Sequence, residues 1–120
     1  MSVIIPCRNE EKYIETCISS VLNQEEPAGG VEIIVADGMS SDGTRAILER
    51  LAKDEPRLIL VDNPAQIKPN GVNAAIRVSR GRFIAIMDAH HRYAADYLRQ
   101  AVEVSRRTGA DNVGGAMICE

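Results

Sequence analysis

The sequence predicts an α/β fold, a mainly parallel sheet with helices on both faces. Three observations carry this expectation. Short β-rich runs alternate with segments of helical spacing, the pattern of β-α-β units joined by right-handed crossovers. The strand runs are close to continuously apolar, as in strands covered on both sides. The chain has 120 residues, the size of one domain, and 45% of them are hydrophobic. A chain of that length can bury about two-thirds of its unfolded surface.

The first strand is placed at Ser2–Pro6. The helix after it carries a stripe of Tyr13, Ile14, Cys17, Ile18, Val21 and Leu22, one face of a 3.6-residue period. Asn9 is a suitable N-cap, and Glu10 and Glu11 suit the positive end of the helix dipole. The second strand is Glu32–Ala36. Its helix runs from Thr44 to Ala52, is capped by Ser41 or Asp42, buries Ile47, Leu48 and Leu51, and stops before Pro56. The third strand is Leu58–Val61. Asp62 to Asn70 is the longest irregular stretch, too polar for core, and reads as a functional or surface loop. A third helix runs from Gly71 to Arg80 and ends at Gly81. The fourth strand, Phe83–Met87, leads to a helix from Ala95 to Thr108 built on Leu98, Ala101, Val102 and Ser105. A fifth strand is placed at Asn112–Ile118.

Composition removes several function classes. Fourteen Lys and Arg against 17 Asp and Glu leave a net charge of −3, without the basic footprint of a dedicated nucleic-acid binder. With one Phe, three Tyr and no Trp, a base-stacking platform is not expected. No apolar run approaches the ~18 residues that span a bilayer. Met1 to Pro6 lacks the basic and apolar regions of a signal peptide, so a cytoplasmic location is expected. Cys7, Cys17 and Cys119 are odd in number and form no C-x-x-C pair. That argues against a disulfide framework and a cysteine zinc site, and for buried or idle thiols.

In open parallel sheets, ligands bind outside the carboxyl ends of the strands. The first tip reads Pro6-Cys7-Arg8-Asn9-Glu10 and the second runs from Asp37 to Thr44. The third holds Lys68, and the fourth is Asp88-Ala89-His90-His91. Asp37 is either a turn residue or an acceptor for a base N–H or a sugar hydroxyl. Ser40, Ser41 and Asp42 read first as a helix start, whose free N–H groups could face an anion. Asp88 and His90 alternate just past a buried strand, so in extended geometry both could reach one cation. Carboxylate plus imidazole suits Mn²⁺, and Mg²⁺ less well. The alternative is a polar surface turn. Lys68 and Arg77 are the cations placed to approach a diphosphate, with solvated surface charge the competing reading, above all for Arg77. Arg8 shares that ambiguity.

The Gly-x-Gly-x-x-Gly dinucleotide fingerprint, the P-loop and the Gly-x-Ser-x-Gly elbow are all absent. The order and spacing of other pieces instead resemble the inverting family 2 glycosyltransferases, across essentially the whole chain. These pieces are Ser2-Val-Ile-Ile-Pro6 with Asn9-Glu10, Glu32-Ile-Ile-Val-Ala-Asp37, and Ser40-Ser-Asp-Gly-Thr44. They continue with Asn63, Gly71 to Ala75 around Asn73, Gly81, and Met87-Asp-Ala-His90. With Tyr93, Asp96-Tyr97 and 109–115, the chain looks closest to the exopolysaccharide branch, which includes glucosyltransferases of succinoglycan-type synthesis.

The resemblance implies a GT-A (nucleotide-diphospho-sugar transferase) fold. It implies a nucleotide-diphospho-sugar donor with a lean to UDP, a divalent cation (Mn²⁺ or Mg²⁺), and a saccharide or lipid-linked acceptor. Pro6 and its neighbours would line the base pocket, and Asp37 would contact the base. Asn9, Glu10, Lys68, Asn73 and Asp88 complete the expected donor-binding set. Asp88 and His90 would hold the cation; the general family motif has Asp where His90 stands. In the family the acceptor half and the catalytic base follow the metal motif well downstream. The chain is therefore expected to be the N-terminal donor-binding part, residues 1–120, of a longer transferase, with the base beyond Glu120. By itself it should bind nucleotide weakly and transfer nothing. Such a part could expose a sheet edge and form a homodimer through it, and a longer parent could associate with the inner face of a membrane. Two other classes compete. A receiver-type signalling domain has similar length, but needs an acidic pair after its first strand and a late lysine. A non-catalytic nucleotide- or sugar-binding module differs only in lacking the downstream base.

Overall fold

A computed structural model describes residues 1–25, 30–109 and the backbone of 118–119. The elements are β1 (Ser2–Cys7), α1 (Ile14–Leu22), β2 (Glu32–Asp37), α2 (Thr44–Asp54) and β3 (Leu58–Asp62). They continue with α3 (Lys68–Val78), β4 (Ile84–Ile86), β5 (His91–Arg92), α4 (Tyr97–Thr108) and β6 (Ile118–Cys119). The main sheet has the order β3-β2-β1-β4 and is parallel throughout. That order begins the Rossmann-like series rather than the 2-1-3-4-5 series of receiver domains, so the signalling alternative is ruled out by topology.

Strand alternation sends residues to two cores. On one face Val3, Ile5, Ile33 and Val35 pack with Ile14, Cys17, Ile18 and Val21 of α1, Leu48 of α2 and Leu98 of α4. On the other face Ile4, Ile34 and Ala36 pack under Ala75 of α3. Each such Ile contributes about 2 kcal/mol by leaving water. Gln24, buried at the end of α1, links the first face to α4. Its amide donates to the Ala94 carbonyl at 2.6 Å and accepts the Leu98 N–H at 3.0 Å. Helices thus cover both faces, as the continuous apolar strands required. β4 is the exception: among the described residues it pairs only with β1, and Ile84 and Ile86 are about half exposed, at 45% and 53%.

Five local expectations change. Asn9 does not cap α1; Tyr13 occupies that position, without a side-chain cap bond. The third helix starts at Lys68, because Pro69 fits a first turn where no N–H is needed. It ends at Val78 with Ser79 as its cap, short of Gly81; Gly81 instead lies against Ser2, to whose Oγ its N–H donates at 2.7 Å. β6 does not extend the main sheet but pairs antiparallel with β5. Residues 112–117 of the predicted fifth strand lie outside the described residues. At α2 the cap position is Gly43, without a side-chain cap bond, rather than Ser41 or Asp42; Asp42, one residue earlier, accepts the Thr44 N–H on its Oδ1 at 2.9 Å. No helix among the described residues is long and apolar enough to cross a membrane.

Candidate functional site

The chain lays β2 and β3 to one side of β1 and then crosses to place β4 on the other side. The carboxyl ends of β1 and β4 are therefore a topological switch point, where two loops depart in opposite directions and leave a crevice. A cavity of about 240 Å³ opens there. Pro6, Cys7, Arg8 and Glu10 line it after β1; Asn63, Gln66, Ile67 and Lys68 line it between β3 and α3. Asp88, Ala89 and His90 close it after β4.

Its charged centre is Lys68 and Asp88, whose Nζ and Oδ1 stand 2.8 Å apart. Lys68 reaches across because Pro69 begins α3 at the cavity wall. The Lys68 ammonium holds the Asp88 carboxyl below the usual carboxylate range, against the opposing effect of partial burial. After Asp88 the backbone turns rather than staying extended. The expected i, i+2 alternation of Asp88 and His90 therefore does not hold. The His90 ring instead faces Glu10, with Nδ1 at 3.3 Å from Oε1. His91 comes beside Asp88, with its Nδ1 at 3.7 Å from Oδ2.

The loops at this end carry backbone strain. Among the described residues, the non-glycine residues with left-handed φ are Asn9 (54°), Met39 (59°) and Gln66 (67°). They fall one in each loop after β1, β2 and β3. Such conformations cost on the order of 1 kcal/mol each and persist where the surroundings impose them. At Asn9 the surroundings are visible. Its N–H donates to Ser40 Oγ at 2.9 Å, and its Oδ1 accepts the Ser41 N–H at 2.8 Å. These bonds, with Glu10 N–H to Thr44 Oγ1 at 2.8 Å, lace the first loop to the second.

Not every residue expected at the site lines the cavity. Pro6, Glu10, Lys68, Asp88 and His90 do. Asp37 is 1% exposed and stands behind it, accepting the Ser40 hydroxyl at 2.6 Å and lying 3.5 Å from the Arg45 guanidinium. Asn9 braces the loop from outside. Asn73 and Arg77 are exposed on α3, away from the cavity lining. Arg8, ambiguous in sequence, is in the wall, as are Gln66 and Ile67, which no sequence pattern singled out. Cys7 is also there; burial, with Asp37 next, pushes its thiol up to about 12, so it stays protonated.

The donor set suits a divalent cation carried by a diphosphate. Among the described residues no three metal-capable side chains converge. A cation bound through a diphosphate needs only one or two protein carboxylates, with phosphate and water oxygens completing the shell. Asp88 already carries a cationic group at 2.8 Å, the Lys68 ammonium, with open volume beside it. Carboxylate and imidazole are ligands Mn²⁺ accepts.

Residues 2–119 match the family model described as Glycosyl transferase family 2. The succinoglycan biosynthesis protein ExoA of Rhizobium meliloti is 39% identical over 117 residues, 96% of this chain and 35% of that protein. A mannosyltransferase of Pyrobaculum calidifontis, solved with GDP-Man and Mn²⁺, superposes with a TM-score of 0.80 at 32% identity, over 87% of this chain and 31% of that one. TarS 1–349 of S. aureus in complex with UDP gives a TM-score of 0.73 at 26% identity, over 88% of this chain and 32% of that one. The chain spans about a third of the length of each of these three proteins.

Proposed function

This chain belongs to glycosyl transferase family 2, and we propose that it forms the donor-binding part of a transferase that moves a sugar, with inversion, from a nucleotide diphosphate to a saccharide or lipid-linked acceptor. UDP-sugar is the proposed donor, and polysaccharide synthesis the proposed setting. The observation that carries this reading is the Lys68–Asp88 pair in a cavity at the switch point of a parallel sheet.

In this reading the base enters along Pro6, Cys7 and Arg8, and the diphosphate lies between Lys68 and Asp88. The acceptor hydroxyl gives its proton to a carboxylate base in the acceptor-binding part and attacks the anomeric carbon as the sugar–phosphate bond breaks, and the bonding electrons leave with the diphosphate. Lys68 turns from the Asp88 carboxylate to the developing phosphate charge. Asp88, with His90 moving off Glu10, would hold a divalent cation, which supplies positive charge to the leaving group when bound. Asp37 and Asn9 shape the wall from behind. Asn73 keeps a donor-binding role only if it reaches the ligand from the α3 surface. A second copy pairing along the β4 edge is the proposed mode of self-association.

Calorimetric titration of UDP with and without Mn²⁺, with GDP and ADP as controls, tests the reading. Binding that requires Mn²⁺ and disappears in Asp88→Ala is expected. The same titration on His90→Ala decides whether the imidazole is a ligand. UDP binding indifferent to Mn²⁺ and to Asp88→Ala would overturn the assignment. Sedimentation of the same samples reads the self-association.

A further inference from the structure

We propose that Tyr93 is a positioning residue for Asp88, holding the backbone of the cation-binding carboxylate in place through a single phenol hydroxyl; this rests on the reading of Asp88 as a cation ligand. The last ladder bond at this strand end is Met87 N–H to the Ile4 carbonyl, 2.9 Å. One residue later the chain leaves the sheet and turns, so the peptide groups of Asp88 need other partners. The Tyr93 side chain supplies both. The Asp88 N–H donates to Tyr93 Oη at 2.8 Å, and the Tyr93 hydroxyl donates back to the Asp88 carbonyl at 3.4 Å. One hydroxyl can do this because it is both donor and acceptor. The Cys17 thiol adds a second donor to the same carbonyl, at 3.4 Å.

The clamp is itself anchored. Tyr93 is 6% exposed, and its ring lies 5.1 Å from that of Tyr97. Its N–H donates to Ser20 Oγ at 3.3 Å, and that hydroxyl donates to the Cys17 carbonyl at 2.8 Å. Asp88 is thereby tied to α1, an element from the other end of the chain. Groups that orient a metal ligand in this way typically govern affinity by ~10- to 100-fold.

The test is Mn²⁺ binding to the purified protein in the presence of UDP, followed by the paramagnetic resonance of free Mn²⁺. Wild type is compared with Asp88→Asn, Tyr93→Phe, Tyr97→Phe and Cys17→Ala, and thermal melts are recorded for each. Tyr93→Phe keeps the ring and should weaken Mn²⁺ about 10-fold in protein that still melts cooperatively. Tyr97→Phe, a change in the same ring cluster, should leave Mn²⁺ affinity unchanged. Wild-type Mn²⁺ affinity in folded Tyr93→Phe overturns the proposal, while loss in Asp88→Asn leaves the underlying reading standing. Equal losses in Tyr93→Phe and Tyr97→Phe also overturn it, since packing alone would explain them. Should Tyr93→Phe fail to fold, Cys17→Ala decides: weaker Mn²⁺ supports the clamp, and unchanged Mn²⁺ overturns it. Absence of Mn²⁺ binding in wild type overturns both proposal and reading.

Discussion

The two ends of the parallel sheet hold their carboxylates in opposite ways. At the amino end, Glu32 accepts the Ser2 hydroxyl at 2.5 Å and the Arg80 N–H at 2.7 Å. The Ser2 hydroxyl in turn accepts the Gly81 N–H at 2.7 Å. This network is closed, and its centre, Ser2, is fully buried. At the carboxyl end Asp88 is paired with the exposed Lys68, and both face an open cavity. Closed networks consume their hydrogen-bonding capacity and yield stability. The open pair keeps capacity for a ligand, with its ammonium already beside the carboxylate. The comparison therefore predicts that changes at the amino end alter stability and changes at the carboxyl end alter binding.

The largest effect should come from Gly81→Ala. A Cβ there would stand 2.4 Å from the Ser2 nitrogen and 2.5 Å from its Oγ. Backbone must move, at a cost of about 3 kcal/mol, measured by urea unfolding. UDP affinity of the folded fraction should not change; if it falls with stability, the two ends are coupled and the contrast fails. Next is Asp88→Asn, which should weaken Mn²⁺-dependent UDP binding by about 100-fold, equivalent to about 2.8 kcal/mol, while the urea midpoint hardly moves. Lys68→Met should weaken UDP by about 10-fold, or about 1.4 kcal/mol. It should also tighten Mn²⁺ binding in the absence of nucleotide, because the ammonium no longer competes for Asp88. Loss of both affinities would show that Lys68 supports the carboxylate rather than occupying its cation position.

The smallest effect is a pH dependence at the closed end. Burial alone would raise the Glu32 carboxyl, but the bonds from Ser2 and Arg80 outweigh it and leave it below its ordinary value. Its native pKa is thus under the unfolded value of about 4.3. The unfolded chain binds more protons in that window, so stability rises with pH there. The Glu32 contribution is present above the unfolded value and lost as pH falls through the native one. Urea midpoints of Glu32→Gln should show a shallower decline below pH 5 than wild type. An identical decline would remove Glu32 from the account.

The fold was largely legible before any coordinates, because strand burial and helix spacing are local patterns. Ile4, Ile5, Ile33 and Ile34 announce a strand pair covered on both faces, and Ile14, Cys17, Ile18 and Val21 announce the helix that covers one of them. The misreadings lie where two local signals competed. Pro69 reads as loop in a polar stretch, yet starts α3 because a first-turn position tolerates it. Gly81 reads as a helix stop, yet is a close backbone approach to Ser2. At the site, the strand-tip rule found Pro6, Glu10, Lys68, Asp88 and His90. It also admitted Asp37, which turned inward to Ser40 and Arg45. Gln66 carried no pattern that would separate it from ordinary loop residues, Arg8 entered only as an ambiguous tip residue, and Tyr93 only as part of the family resemblance, without a role.

The sequence by itself determined which segments are strands and helices, which of their residues are core, and which tips carry chemistry. Those properties follow from the period of apolar residues and the preferences of Pro, Gly and Asp at element ends, all read within a few residues. Only the tertiary structure decided that β4 joins β1 opposite β2, so that Lys68 meets Asp88 and one phenol clamps the Asp88 backbone. Strand order and the turn at 89–90 depend on contacts between segments up to 80 residues apart, as between Glu10 and His90. No local period encodes those contacts.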